Sequence, residues 1–285
     1  MIIKKTENGL EIITNDERKA FYNEKAYSLQ AGENGLKYAV LSTVTDFILN
    51  VSEGNSKTGN AINFNLPVEL TCNHCCECYK EKVCYAEGGC YTFPDNQAKY
   101  SENLAYFKNH TSDEFIAALQ FAIDIIDYKL FRFFTCGDIP NTRFFDCMVN
   151  LAKNNPGIKF WSYTKKYDIV NKYIAEHGGS IAAALPENLV IIFSHWLNSD
   201  GTYFPMNNPY NLPVSEFIPF GQEEKAKTVT HICPCSDPTI KATCETCDHA
   251  CYTLKPGESM ALLEHSTSAT KQRDKEIKAA KAKLK

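Results

Sequence analysis

No apolar run in this 285-residue sequence approaches the roughly 20 residues that a helical bilayer crossing requires. The opening "MIIKKTENGLEIIT" has no sustained apolar stretch and no small-residue cleavage site, so no secretory signal is expected. The sequence also lacks internal repeats, and no low-complexity segment precedes its Lys/Ala-rich end. These absences favour a cytoplasmic protein without membrane partners, in a compartment where thiols stay reduced. Hydrophobic residues make up 44% and charged residues 22%, as in ordinary globular chains.

Cysteine is abundant. Six of the 13 cysteines fall in "ELTCNHCCECYKEKVCYAEGGC" and five in "HICPCSDPTIKATCETCDHACY". Closely spaced cysteines in a reduced compartment read as metal ligands rather than bridges, and an odd total suits a full disulfide framework poorly. The formal net charge is -4, and the tail "KQRDKEIKAAKAKLK" carries seven basic and two acidic residues. That tail, 271–285, is a helical or disordered end able to touch nucleic acid. The acidic remainder argues against a duplex-binding groove.

The chain reads as a single α/β domain over 1–270. The first 50 residues read as strands or a small N-terminal layer, and "SEGNSKTGNAINFNLP" as loop. "DNQAKYSENLAYFKN" reads as a helix with Asp95 as its cap. "TSDEFIAALQFAIDIIDY" follows, with cap-type Thr111 and Ser112 ahead of Asp113 and Glu114, where a helix dipole favours negative charge. "LFRFFT", "KFWSYT" and "NLVIIFS" are strands, and "TRFFDCMVNLAKNN" and "YDIVNKYIAEH" are the helices between them. This alternation predicts parallel βα units. They would form a partial or complete barrel-like core, with an open doubly wound sheet fitting the same pattern, and metal-binding loops at the cysteine-rich segments 72–90 and 233–251.

In such folds the working face lies at the C-terminal strand ends. Three ends carry polar groups: Asp138 in "FTCGD", Lys165 after "YT", and His195 in "FSHW". Asp138 and Lys165 are the candidate catalytic residues, although a capping Asp and a solvated Lys would look the same. Cys136 sits at a strand end and Cys147 in a helical pattern typical of core cysteine. A Cys136 nucleophile paired with His195 is the weakest reading, because nothing in the sequence joins them.

Cys244, Cys247 and Cys251 have C-x2-C-x3-C spacing, with Cys233 or Cys235 upstream. Four thiolates on short loops can wrap a tetrahedral zinc or an iron–sulfur cluster. Zinc ribbons usually show two C-x2-C pairs, and a chain of this size needs no staple, so the pattern leans toward one or two iron–sulfur clusters, 4Fe-4S among them. Adjacent Cys75 and Cys76 cannot easily face one ion together.

The strings "GNSKTG", "FNLPVELTC", "CYAEGGCYTFPDNQAKYSENL", "FWSYTK" and the closing "CP…C-x2-C-x3-C" stand in fixed order between Ser52 and Tyr252. In them the chain resembles the poorly characterised bacteriophage gene product 88 family. The resemblance implies a phage origin, with the host cytoplasm as the place of action, and says little about activity. It puts weight on Cys72, Cys78, Cys84, Cys233, Cys244, Cys247 and Cys251 as cofactor and metal ligands, and on Asp138. The extra Cys75, Cys76 and Cys90 leave the first ligand set open. More loosely, the chain is similar at fold level to radical S-adenosylmethionine barrels. Their C-x3-C-x2-C signature is absent, with Tyr79 where the third cysteine would fall after Cys72 and Cys76.

The expected function is therefore an iron–sulfur protein with redox or radical chemistry on a small-molecule or nucleic-acid substrate. The alternative is a zinc-stapled binding protein without catalysis, using its Lys-rich tail and 12% aromatic content for nucleic acid.

Overall fold

The computed structural model describes the strand backbones at 2–6, 9–14, 27–31 and 37–41. Beyond them it describes residues 49–55, 57–72, 78, 84–126, 128–196, 202–219, 221–236, 240–248 and 250–264. Strands β1 (Ile2–Thr6), β2 (Gly9–Thr14), β3 (Tyr27–Ala31) and β4 (Lys37–Leu41) form an antiparallel sheet of order β1-β2-β4-β3. This agrees with an N-terminal layer of strands.

The second sheet contains β5 (Val51–Ser52), β6 (Ile62–Phe64), β7 (Leu130–Phe133), β8 (Lys159–Thr164), β9 (Leu189–Trp196), β10 (Val214–Ile218), β11 (His231–Ile232) and β12 (Ser259–Leu263). Its order is β11-β12-β10-β9-β8-β7-β6-β5, and every pair except β5–β6 is parallel. The sheet is not closed: β5 and β11 are its edges, so the complete barrel is excluded and an open parallel sheet remains. The loop reading of "SEGNSKTGNAINFNLP" is corrected as well, since it contains β6. Three residues are too short to show periodicity, but buried Ile62 and Phe64 flank Asn63 as a strand facing two ways requires.

The helices follow their local signals. They are α1 (Val68–Thr71), α2 (Pro94–Asn109), α3 (Ser112–Ile126), α4 (Thr142–Asn154), α5 (Tyr167–Glu176) and α6 (Ile181–Ala184). Thr111 and Glu114 form a capping box before α3: the Thr111 amide donates to Glu114 Oε2 at 2.8 Å, and the Glu114 amide to Thr111 Oγ1 at 3.3 Å. Asn141 caps α4 by accepting from the Phe144 amide at 2.9 Å. Asp95 is not a cap. Pro94 begins α2 with its ring-fixed φ, which leaves Asp95 in the first turn, where it still favours the dipole.

The alternation along the central strands gives the sheet two apolar faces. Ile62, Phe64, Phe131, Phe133, Phe160 and Phe193 enter the large core with the helices. Phe64, Phe107, Phe115 and Phe144 are its aromatic centre, with ring centroids 4.9 Å apart for Phe107–Phe144 and 5.2 Å for Phe115–Phe144. The opposite face, here the inner face, offers Ala61, Leu130, Trp161 and Ile192. These pack against Cys251, Leu254 and Met260. A parallel sheet must be covered on both sides, and the cysteine-rich C-terminal segment supplies the second cover.

No helix among the described residues is long and apolar enough to cross a membrane. The basic tail and Cys75 and Cys76 lie outside the described residues. Phe144→Ala is expected to cost about 3–5 kcal/mol through lost burial and a residual cavity. Urea unfolding of the variant against the parent chain measures it.

Candidate functional site

The turn after β7 is built to bring Asp138 back over the strand ends. Phe134 has φ 62° and Gly137 φ 87°, so the backbone turns left-handed twice within four residues. A Cβ on Gly137 would stand 2.5 Å from the Leu66 carbonyl oxygen, so only glycine fits. Buried Asn65 braces the turn. Its Oδ1 accepts from the Thr135 amide (2.8 Å), the Thr135 hydroxyl (2.7 Å) and the Cys136 amide (3.0 Å).

Asp138 then joins two strand ends. Its Oδ1 accepts from Thr164 Oγ1 at 2.6 Å and from the Ile139 amide at 2.7 Å, and its Oδ2 from the Lys165 amide at 3.0 Å. The Asp138 amide donates to Thr71 Oγ1 at 3.1 Å, which ties in the end of α1. Burial raises the Asp138 pKa, opposed by the donors from Thr164, Lys165 and Ile139. In this structure Asp138 is a clip between β7, β8 and α1.

Three of the sequence-predicted thiols gather beside this clip. Cys72 follows α1 directly, and its amide bonds the Val68 carbonyl at 3.0 Å. The Cys84 amide bonds the Cys78 carbonyl at 3.1 Å, and the two side-chain sulfurs hydrogen-bond each other. Cys72 feels the charge of Asp138, Lys165, Cys78 and Cys136, after burial as the main influence, and is held well above its ordinary pKa. Cys78 packs against Trp196, and the Lys165 ammonium lies 5.2 Å from the Trp196 ring centre. Cys72, Cys78, Cys84, Asp138 and Lys165 therefore share one region at the C-terminal strand ends. Cys136 is adjacent, among Val68, Ala86 and Tyr100, with its thiol pushed up to about 12 by burial. Cys90 is exposed, and Cys147 is fully buried core.

His195 does not approach Cys136. Its ring stacks on Tyr203 at 4.4 Å, beside Glu216. The nucleophile pair therefore finds no geometric basis.

The second thiol group lies on the inner face of the sheet. The Cys235 thiol lies against the Cys233 and Cys244 sulfurs, with the Ala242 carbonyl 3.4 Å away, so its single proton is shared among close acceptors. Because Cys235 keeps its proton and donates it, the Cys233 thiol is lowered to about 6, with Arg132 helping. The Tyr163 hydroxyl donates to Cys251 Sγ at 2.7 Å. Burial pushes the Cys251 thiol up to about 12. Cys247 lies near Tyr252, and Cys244 and Cys251 act on that same phenol. The segment is anchored to the loop before β6. The Cys244 amide donates to the Lys57 carbonyl at 2.8 Å, and Asn60 Nδ2 to Glu245 Oε1 at 3.1 Å.

Sequence reasoning offered Cys233 or Cys235 as the upstream thiol, and the structure groups both with Cys244. It missed Arg132, whose guanidinium stands 5.1 Å from the Tyr163 ring centre and feels the charge of Cys244. A cation inside the apolar string "LFRFFT" was the available signal. Among the described residues no three His, Cys, Asp or Glu side chains stand in the arrangement that holds a single metal ion.

Two predictions follow from these contacts. Asp138→Asn replaces an acceptor with a donor facing N–H or O–H groups, and is expected to cost about 1–3 kcal/mol. The folded pKa of Asp138 is raised, so its stabilising contribution is full below the unfolded carboxylate range and falls as pH rises through the folded value. The advantage of the parent chain over the variant should thus narrow with rising pH in urea titrations. On chelator-treated protein at neutral pH, limited iodoacetamide should label Cys233 before Cys251, as read by mass spectrometry.

No curated protein and no solved structure matches this chain. The family model of gene product 88 matches residues 43–201. That span holds the first thiol group, the Asp138 turn and strands β5 to β9, and it stops before the second cysteine segment. With more than half of its length matched, the chain belongs to the bacteriophage gene product 88 family.

Proposed function

We propose that the chain holds an iron–sulfur cluster at Cys72, Cys78 and Cys84 and uses it for redox or radical-type chemistry on a small molecule at the strand ends. One observation carries this reading: three thiols meet at the C-terminal end of a parallel sheet, beside a buried carboxylate and a lysine. The donor set suits such a group. Cys78 and Cys84 share a hydrogen bond, so a cluster would draw these two sulfurs apart as it binds. Three protein thiolates leave one position open to a small molecule, as in catalytic metal sites generally. When bound, the cluster would supply electron transfer. Asp138 keeps the strand ends in register, and Lys165, over Trp196, offers positive charge to an anionic substrate or to the cluster itself. The reducing host cytoplasm would keep these thiols available.

A second reading concerns Cys233, Cys235, Cys244, Cys247 and Cys251. Cys235 lies against the Cys233 and Cys244 sulfurs, and four thiolates on short loops are the donor set of a structural zinc. Zinc there would staple the C-terminal segment to the sheet, and metal binding would add to folding stability. Four thiols are also the donor set of a second cluster. The nucleic-acid alternative has no described contact in its support, since the Lys-rich tail falls outside the described residues.

Protein purified without oxygen is expected to contain iron matched by acid-labile sulfide and to show broad visible absorption. Cys72→Ser, Cys78→Ser and Cys84→Ser should each remove the colour. Cys235→Ser or Cys244→Ser should release zinc and lower the melting temperature while the colour stays. Colourless protein with zinc alone would overturn the cluster.

A further inference from the structure

A row of unsatisfied polar atoms crosses three neighbouring strands. Asn63 on β6 pairs in register with Arg132 on β7, and Arg132 with Trp161 on β8. All three alternate away from the helix-facing core residues Ile62, Phe131 and Phe160, so they share the inner face. Asn63 and Trp161 are each only 1% exposed. Yet Asn63 Oδ1, Arg132 Nε and Trp161 Nε1 are all buried without a hydrogen-bond partner. Buried polar groups in native proteins are nearly always satisfied, and three adjacent orphans need an explanation. Strands lie about 4.8 Å apart, so the row spans about 10 Å, the size of a small metabolite.

The chemistry of the row is specific. It offers an indole N–H, a guanidinium edge and one amide oxygen. Among the described residues no carboxylate pairs with Arg132; its surroundings are the phenols of Tyr85, Tyr91 and Tyr163 and the thiols of Cys233, Cys244 and Cys251. A cation in such a place calls for a negative partner. Thiolates of the second cysteine group could balance the charge, but they would leave the indole and the amide without partners. Cys251, Leu254 and Tyr252 cover Trp161, so a ligand reaches the row only beside Arg132, Tyr163 and Val190, which are partly buried.

We propose that Asn63, Arg132 and Trp161 form a binding site for a small molecule bearing an oxyanion, a carboxylate or a phosphate. Arg132 and Trp161 donate to the anion, and Asn63 accepts from a hydroxyl or amine on the same molecule. Arginine's fixed fork matches both oxyanions. The site stands on the row alone and holds whether or not the thiols carry a cluster.

Isothermal titration of the full chain with inorganic phosphate and with citrate, at constant ionic strength set by chloride, tests it. Saturable binding of one anion per chain is expected, and the anion that binds identifies the headgroup. Trp161→Phe keeps an aromatic side chain, removes the N–H with part of the indole, and should weaken binding about tenfold. Arg132→Gln should abolish it. Should Arg132→Gln fail to fold, Trp161→Phe and Asn63→Ala carry the test, because a mere counter-charge for thiolates would leave both without effect. No saturable binding of either anion, unchanged affinity in Trp161→Phe, or a crystal structure grown in phosphate with only water on the row would overturn the proposal.

Discussion

A parallel sheet has two apolar faces, and the placement of every functional group in this chain follows from how each is covered. The βα crossovers put α3, α4 and α5 on one face, over a core rich in phenylalanine. No α-helix among the described residues fills the other side. A C-terminal segment of short turns and thiols does so instead, resting Cys251, Leu254 and Tyr252 on Leu130, Trp161 and Tyr163. That cover has little regular secondary structure, so its order rests on contacts with the loop before β6 and on its cysteines.

The strand ends are governed by a second constraint, the need to satisfy buried polar groups. Asn65, Thr71, Asp138 and Thr164 leave few of their groups unmatched, and together they lock the turns that carry Cys72, Cys136 and Lys165. The inner row does the reverse. It leaves three adjacent polar atoms unsatisfied, and β10 leaves one more at Ser215 Oγ.

Much of this was legible locally. The helices α3 and α4 announce themselves through caps and apolar stripes, and β7, β8 and β9 through short apolar runs bounded by turns. Asp138 was visible as a polar group where a strand stops, although its role as a clip was not, because Thr164, Lys165 and Thr71 approach it from elements far along the chain. Strands β6, β10, β11 and β12 were missed. They are short or lie in polar stretches, and only pairing with a long neighbour makes them strands.

The sequence by itself determined the βα alternation, the helix ends and the concentration of thiols in two segments, because propensity, capping and burial periodicity act over a few residues. Tertiary structure alone decided that the sheet stays open, that Cys72 meets Cys78 and Cys84, and that Cys235 joins Cys233 and Cys244. It alone decided that Asn63, Arg132 and Trp161 stand side by side. Those pairings depend on strand register and on which face each residue takes, and register is set by the packing of the whole sheet rather than by any one segment.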